Sequence, residues 1–267
     1  MNFVCPKCRS PLAVFCGVAK CQMGHAYDRA KAGYFNLLLS ASGGTHGDNR
    51  EMVEARRDFL DTGAYFPLAK KVTELLRTHL SGNKVLDIGC GEGYYTDAIV
   101  SSLADMGIEL SAFDISKEAV KHAARRNKNV DLAVASAYKM PTADESFDGA
   151  VNMFSPLVRE EVLRTLKKGG VFILAVPGEE HLFGLKRAAY KTPYKNELDN
   201  PEIEGFSLIQ TERLTYELEL NNQKDVSSLF MMTPYAYRTP PEDKMRVLSL
   251  QKLKTAVDFV IFVYKKV

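Results

Sequence analysis

The 267-residue chain has no apolar run approaching the roughly 20 residues needed to span a bilayer, and its amino terminus lacks the apolar centre of a secretory signal. A cytoplasmic protein without a membrane partner is therefore expected. Internal repeats and low-complexity tracts are absent too, which argues against a solenoid or a disordered linker protein. Charge of one sign is scarce, since 35 basic residues face 33 acidic ones for a formal net charge of +2. That balance is too small to signal nucleic-acid binding by the chain as a whole. Cysteine is sparse, with five residues in all, and a disulfide framework is excluded in a reducing compartment. What remains, at 46% hydrophobic and 25% charged content, suffices for one substantial core and a small appendage.

The scarce residues are unevenly placed. Four of the cysteines, Cys5, Cys8, Cys16 and Cys21, fall in the first 21 positions. Residues 1–35 also carry Lys7, Arg9, Lys20, Arg29 and Lys31 against Asp28 alone. Cys5-Pro-Lys-Cys8 and Cys21-Gln-Met-Gly-His25 form two ligand pairs separated by 12 residues, close to the spacing of a tetrahedral zinc site. Pro6 stiffens the first turn, and Gly24 frees the second so that His25 can turn toward the metal held by Cys21. Cys5, Cys8, Cys21 and His25 are the expected ligands. Cys16 is the competitor, but it lacks a knuckle partner and follows the alternating Leu12-Ala-Val-Phe15, which reads as strand. Four protein ligands leave no open position for water, so the zinc is structural, a staple for a segment without a core of its own. A redox Cys-x-x-Cys would need a thioredoxin-like strand and helix that this segment does not offer.

A second concentration of chemistry lies at Lys84-Val-Leu-Asp-Ile-Gly-Cys-Gly-Glu-Gly-Tyr-Tyr95, a buried strand running into a glycine turn and a helix. Gly89, Gly91 and Gly93 let backbone amides approach a ligand, and Asp87 closes the strand with a carboxylate. The next strand, Ile108-Glu-Leu-Ser-Ala-Phe-Asp114, ends in an acid able to accept hydrogen bonds from ribose hydroxyls. A dinucleotide site would use G-x-G-x-x-G beside a pyrophosphate; here the spacing is G-x-G-x-G, and Asp87 and Glu92 would repel that anion. A cationic or zwitterionic cofactor suits the acids, and S-adenosylmethionine carries both an ammonium and a sulfonium. The pattern resembles the class I methyltransferases over roughly residues 65–176. That implies an α/β, doubly wound, Rossmann-like sheet of seven strands whose last strand is antiparallel. Cys90 reads as a small packing residue, since no base lies near it in sequence.

The expected organisation is a zinc ribbon over 1–36, a linker over 37–48 and a methyltransferase domain over 49–267. Ala41-Ser-Gly-Gly-Thr-His-Gly-Asp48 carries the linker composition. Asp48 or Asn49 can cap a helix to Leu60, on which Arg56 and Arg57 are either a solvated face or an RNA contact. A second helix is expected from about Tyr65 to Leu80. Helices near 93–104, 116–127 and 157–167 then alternate with strands at 108–113, 130–136, 147–152 and 170–176. Long strands follow at 208–220 and around 257–264. The strand ending at Val151 runs into Asn152-Met-Phe-Ser-Pro156, where Phe154 is either a base-stacking ring or a core plug. His181 begins a helix near the same edge; a lone histidine there is ordinarily packing or a cap.

Five segments together resemble the bacterial 23S ribosomal RNA (guanine-N(1)) methyltransferases. They are the Cys-Cys-Cys-His ribbon, Ala32-Gly-Tyr-Phe-Asn-Leu-Leu38, Ala55-Arg-Arg-Asp-Phe-Leu-Asp-Thr-Gly-Ala-Tyr65, the glycine turn, and Pro177-Gly-Glu-Glu-His-Leu182. The resemblance implies that S-adenosylmethionine is held by Tyr65, by the turn at Gly91 and Glu92, and by His181. It implies a 23S ribosomal RNA hairpin in domain II as partner, one of two neighbouring guanines as target and, for some members, macrolide resistance. A homodimer around the hairpin is left open. Ser136-Ala137 departs from the acid that many class I enzymes place beside adenine. The ribbon, with Lys7, Arg9 and Lys20, is expected to grip the RNA through phosphates and shape. A paired guanine hides N1, so an unpaired or flipped base is expected. No residue identifies itself as the base that removes the N1 proton. The rivals are a small-molecule methyltransferase with a structural ribbon and a non-catalytic RNA-binding protein on the same scaffold; the intact acids and glycines speak against the latter.

Overall fold

The computed structural model describes residues 1–39, 47–198 and 201–267. The glycine-rich stretch expected as a linker lies largely outside the described residues. The amino-terminal segment forms a three-stranded antiparallel sheet, β1 (Ala13–Phe15), β2 (Val18–Lys20) and β3 (Ala26–Asp28). A two-residue strand follows, β4 (Phe35–Asn36). Two helices come next, α1 (Arg50–Leu60) and α2 (Phe66–His79). Asn49 caps α1, its side chain accepting from the Met52 N–H.

The alternation of strand and helix starts with β5 (Lys84–Ile88), α3 (Tyr94–Ser102), β6 (Glu109–Asp114), α4 (Lys117–Arg126) and β7 (Asp131–Val134). It continues through β8 (Phe147–Met153), α5 (Arg159–Thr165), β9 (Leu166–Pro177) and α6 (Phe183–Ala189). The chain then makes β10 (Phe206–Leu220), three helices α7 (Gln223–Met231), α8 (Tyr235–Arg238) and α9 (Pro241–Leu248), and β11 (Leu253–Lys266). The sheet order is β10-β11-β9-β8-β5-β6-β7-β4. β11 runs antiparallel to both neighbours and the other pairings are parallel, so the expected antiparallel last strand is present.

The sheet has eight strands where seven were expected. The eighth is β4, paired with β7 through Phe35↔Ala133 and Asn36↔Val134. Two residues are too few to carry a period, so the sequence hides it. Beside β4 the ribbon is pinned by Arg9, whose guanidinium donates to the Met140 and Thr142 carbonyls at 2.7 Å each. Ribbon residues Phe3, Leu12, Phe35 and Leu37 are buried in one apolar cluster with Leu86, Phe113, Met140 and Phe147 of the main sheet. The appendage thus shares an apolar cluster with the main sheet.

The sequence pattern does not announce the helical stretch 223–248, although its signals exist. The Asn222 side chain accepts from the Asp225 N–H, an N-cap for α7, and Pro241 opens α9. α7 packs against α1, which itself reaches α4.

Candidate functional site

Parallel strands deliver their loops to one edge, and here three of them do so side by side. Ile88 at the end of β5 is paired with Phe113 of β6 on one flank and Asn152 of β8 on the other. The glycine turn, Asp114 and Phe154 therefore leave the sheet together. They open into a cavity of about 440 Å³, lined also by Asp48 just before α1, by Met52 and Arg56 of α1, and by Met232 and Pro234 after α7. That size suits a small cofactor and part of a substrate.

Of the sequence-predicted residues, Tyr65, Asp87, Gly89, Gly91, Glu92 and Asp114 line the cavity. Gly93 stands behind it at the start of α3, with a φ of +90°; a Cβ there would lie 2.8 Å from the Ala123 backbone of α4. This close approach of helix to helix explains the third glycine. Gly89 has a φ of +72°, and a Cβ on it would fall 2.3 Å from that of Ser155. Both positions demand glycine twice over, by backbone conformation and by space.

The carboxylates are buried. Asp87, 1% exposed, accepts a 2.6 Å hydrogen bond from Thr96 Oγ1 on one oxygen, while Oδ1 has no partner in the protein. Burial pushes its pKa up to about 7, with the Thr96 bond pulling the other way and Asp114 adding to the rise. Glu92 accepts from Arg126 Nε and Nη2 at 3.1 and 2.7 Å through Oε2, and its Oε1 is likewise orphaned. Burial raises its pKa against the pull of Arg126. Asp114 receives the Gly91 N–H at 3.0 Å and the Ser116 N–H at 2.7 Å, one on each oxygen. Burial raises its pKa, and these two backbone donors oppose the rise. Two orphaned carboxylate oxygens in one small cavity match a cationic ligand, and Asp114 keeps a second lone pair on each oxygen for hydroxyl donors.

Tyr65 faces the cavity with His181 behind it. The His181 Nδ1 accepts from the Asp258 N–H at 3.3 Å, so the ring proton sits on Nε2, 3.3 Å from the Tyr65 hydroxyl oxygen. Burial lowers the His181 pKa to about 3, so the ring stays neutral. His181 thereby donates to Tyr65 and leaves the tyrosine O–H free to point elsewhere. His181 itself is outside the cavity lining and lies in a turn before α6, where the sequence suggests the first residue of a helix.

Arg56, which the sequence leaves as either a solvated face or an RNA contact, is partly buried. It pairs with Asp48, donates to the Met232 carbonyl at 3.3 Å and lines the cavity, while Arg57 pairs with its neighbour Asp58. Cys90 lines the cavity as a buried thiol whose pKa burial raises, in keeping with a packing role. Met232 and Pro234 escape sequence reasoning because they arrive from the unannounced helical stretch.

In the ribbon, the ligand atoms of Cys5, Cys8, Cys21 and His25 lie within 4.8 Å of one another. His25 Nδ1 is 3.4 Å from both the Cys5 and the Cys21 sulfurs, and the Cys8 and Cys21 sulfurs are 3.6 Å apart. A tetrahedron with Zn–S near 2.3 Å and Zn–N near 2.0 Å sets such edges at about 3.5–3.8 Å, so the donor set fits zinc. The Tyr27 hydroxyl, 3.2 Å from the Cys5 sulfur, supports the ligand from outside. Cys16 is exposed, in a left-handed turn between β1 and β2, and takes no part.

Comparison with known proteins agrees with both halves. A family model described as a methyltransferase domain matches residues 85–170, and a zinc-ribbon model described as "RlmA, N-terminal" matches residues 3–39. The Streptomyces fradiae protein named "23S rRNA (guanine(748)-N(1))-methyltransferase" is 29% identical over 91% of this chain and 88% of its own length. The Bacillus subtilis (strain 168) protein named "Putative 23S rRNA (guanine-N(1)-)-methyltransferase YxjB" is 30% identical over 95% of this chain and 92% of its own.

Proposed function

The chain belongs to the 23S ribosomal RNA (guanine-N(1)) methyltransferase family, and on that premise we propose that it methylates ring nitrogen 1 of one guanine in a domain II hairpin of 23S ribosomal RNA, in the cytoplasm. The single observation that carries this reading is the joining of an acid-lined cavity to a zinc ribbon through one sheet. Bound S-adenosylmethionine supplies the electrophilic methyl group. Asp114 would accept the ribose hydroxyls, and the orphaned oxygens of Asp87 and Glu92 would face the cationic groups. Tyr65, held by the neutral His181, would direct its O–H at the carboxylate end. Gly89 and Gly91 allow the backbone its close approach. Zinc, held by Cys5, Cys8, Cys21 and His25, would fix the ribbon that meets the RNA.

The test is mass-spectrometric mapping of N(1)-methylguanine in 23S ribosomal RNA from cells with and without the gene, paired with methylation of a hairpin transcript by the purified protein. One modified guanine should vanish on deletion and appear on the transcript. Identical maps and an inert transcript would favour the small-molecule rival. The same strains report macrolide susceptibility directly.

A further inference from the structure

Phe154 has a φ of +63°, in the left-handed region that a bulky aromatic residue almost never adopts. Four hydrogen bonds hold its loop there. The Phe154 N–H donates to the Ala175 carbonyl at 3.2 Å, and the Ser155 N–H donates to Asn152 Oδ1 at 3.1 Å. Ser155 Oγ donates to the Ile88 carbonyl at 3.0 Å, and the fully buried Asn152 donates from Nδ2 to the Pro156 carbonyl at 3.4 Å. Ser155 also fills the space that glycine leaves at position 89. The loop is thus locked to the glycine turn, and it holds a strained residue where a glycine would be at ease.

The strained ring is not a core plug. It is 41% exposed, backed by Phe259 at 5.4 Å between centroids and by Tyr95 at 6.3 Å, and it lines the cavity. The β8 side of the cavity contributes no charged side chain to its lining. Asp114 closes β6 on one flank of β5, and Met153, Phe154 and Pro156 come from the end of β8 and its loop on the other. A flat, uncharged heterocycle belongs on the second side.

We infer that Phe154 is the face on which the target guanine stacks, and that the 152–156 loop keeps its backbone strained to present that ring. This role deepens the RNA-methylation reading and rests on it. Full-length, zinc-loaded protein carrying Phe154→Gly, Phe154→Leu or Phe154→Tyr tests it. Each is measured for thermal midpoint, for affinity toward S-adenosylhomocysteine by calorimetry, and for kcat and KM on the hairpin transcript. Phe154→Gly relieves the backbone, so its midpoint should hold or rise and its S-adenosylhomocysteine affinity should stay within about threefold. Its kcat/KM for RNA should fall by about 10-fold to 100-fold, the range that loss of one aromatic stack implies. Phe154→Leu keeps apolar bulk without a flat face and should fall likewise, which guards against loosening of the loop by glycine. Phe154→Tyr should recover most of the activity. Retained kcat/KM in the glycine and leucine variants overturns the inference, as does a proportional loss of S-adenosylhomocysteine affinity, which would make Phe154 a cofactor contact. An unmethylated transcript with the wild-type protein overturns the parent reading and this one with it, whereas wild-type activity beside an unaffected variant overturns this one alone.

Discussion

Asp87 is a carboxyl whose burial raises its pKa to about 7, and one of its oxygens lacks any partner in the protein. Protonated, it offers a cation only a neutral acceptor; ionised, it attracts one across a cavity of low dielectric. Affinity for an amine-bearing ligand such as S-adenosylhomocysteine should therefore plateau above pH 7. Below that it should decline by up to about tenfold per pH unit, as the proton displaces the cation. Calorimetric titrations between pH 5.5 and 8.5 measure this, and Asp87→Asn should flatten the profile at low affinity. A flat wild-type profile would sink the assignment. The effect on stability without ligand has the opposite sign. A folded pKa above the ordinary 3.8 gives a contribution that is full below pH 4 and lost as pH rises through 7. The acids are legible from sequence because glycine turn and strand end are local features. Tyr65 and His181 are legible only through family likeness, since they meet across 116 positions of chain.

Among the elements, the ribbon departs most from its sequence portrait. A 1–36 ribbon followed by a linker is expected; the last two residues of that ribbon form an edge strand of the main sheet, and its apolar side chains join an apolar cluster with residues of that sheet. Such burial depends on partners about 100 residues away, which no local period can encode. Arg9 makes the same point: it reads as a basic RNA contact but spends its guanidinium on carbonyls at Met140 and Thr142. Because ribbon and sheet share a core, removing the metal should be felt by the whole fold. Chelation, or Cys21→Ser, should lower the main thermal transition by about 5 °C or more, given roughly 2–4 °C per kcal/mol for a domain of this size. Scanning calorimetry decides the matter. A small separate transition with the main one unmoved would mean that the ribbon folds by itself.

At the scale of the whole molecule, a net charge of +2 conceals a division of labour. Four acids, Asp48, Asp87, Glu92 and Asp114, line the cavity, and the amino-terminal segment holds an excess of base. Within that segment Lys7, Lys20, Arg29 and Lys31 are exposed, and Phe15, 79% exposed, stands at the tip of the β1–β2 hairpin. The ribbon's strand β4 runs parallel to β7, so the chain leaves it at the carboxyl edge, and Gly47 and Asp48 next appear in the cavity wall. Lysines that only neutralise phosphates should matter to RNA and not to the cofactor. The double variant Lys7→Ala, Lys20→Ala should weaken hairpin binding several-fold. It should also reduce the slope of log affinity against log salt by about 0.7–0.9 for each phosphate that the variant no longer neutralises, with S-adenosylhomocysteine affinity unchanged. Arg9 is left out of that variant, because its removal would loosen the ribbon from the sheet and mix a docking effect with an electrostatic one. Fluorescence anisotropy across a salt series measures the slope. An unaltered slope would move the RNA-binding surface off the ribbon and onto the cavity rim, where Arg56 is already committed to Asp48 and Met232.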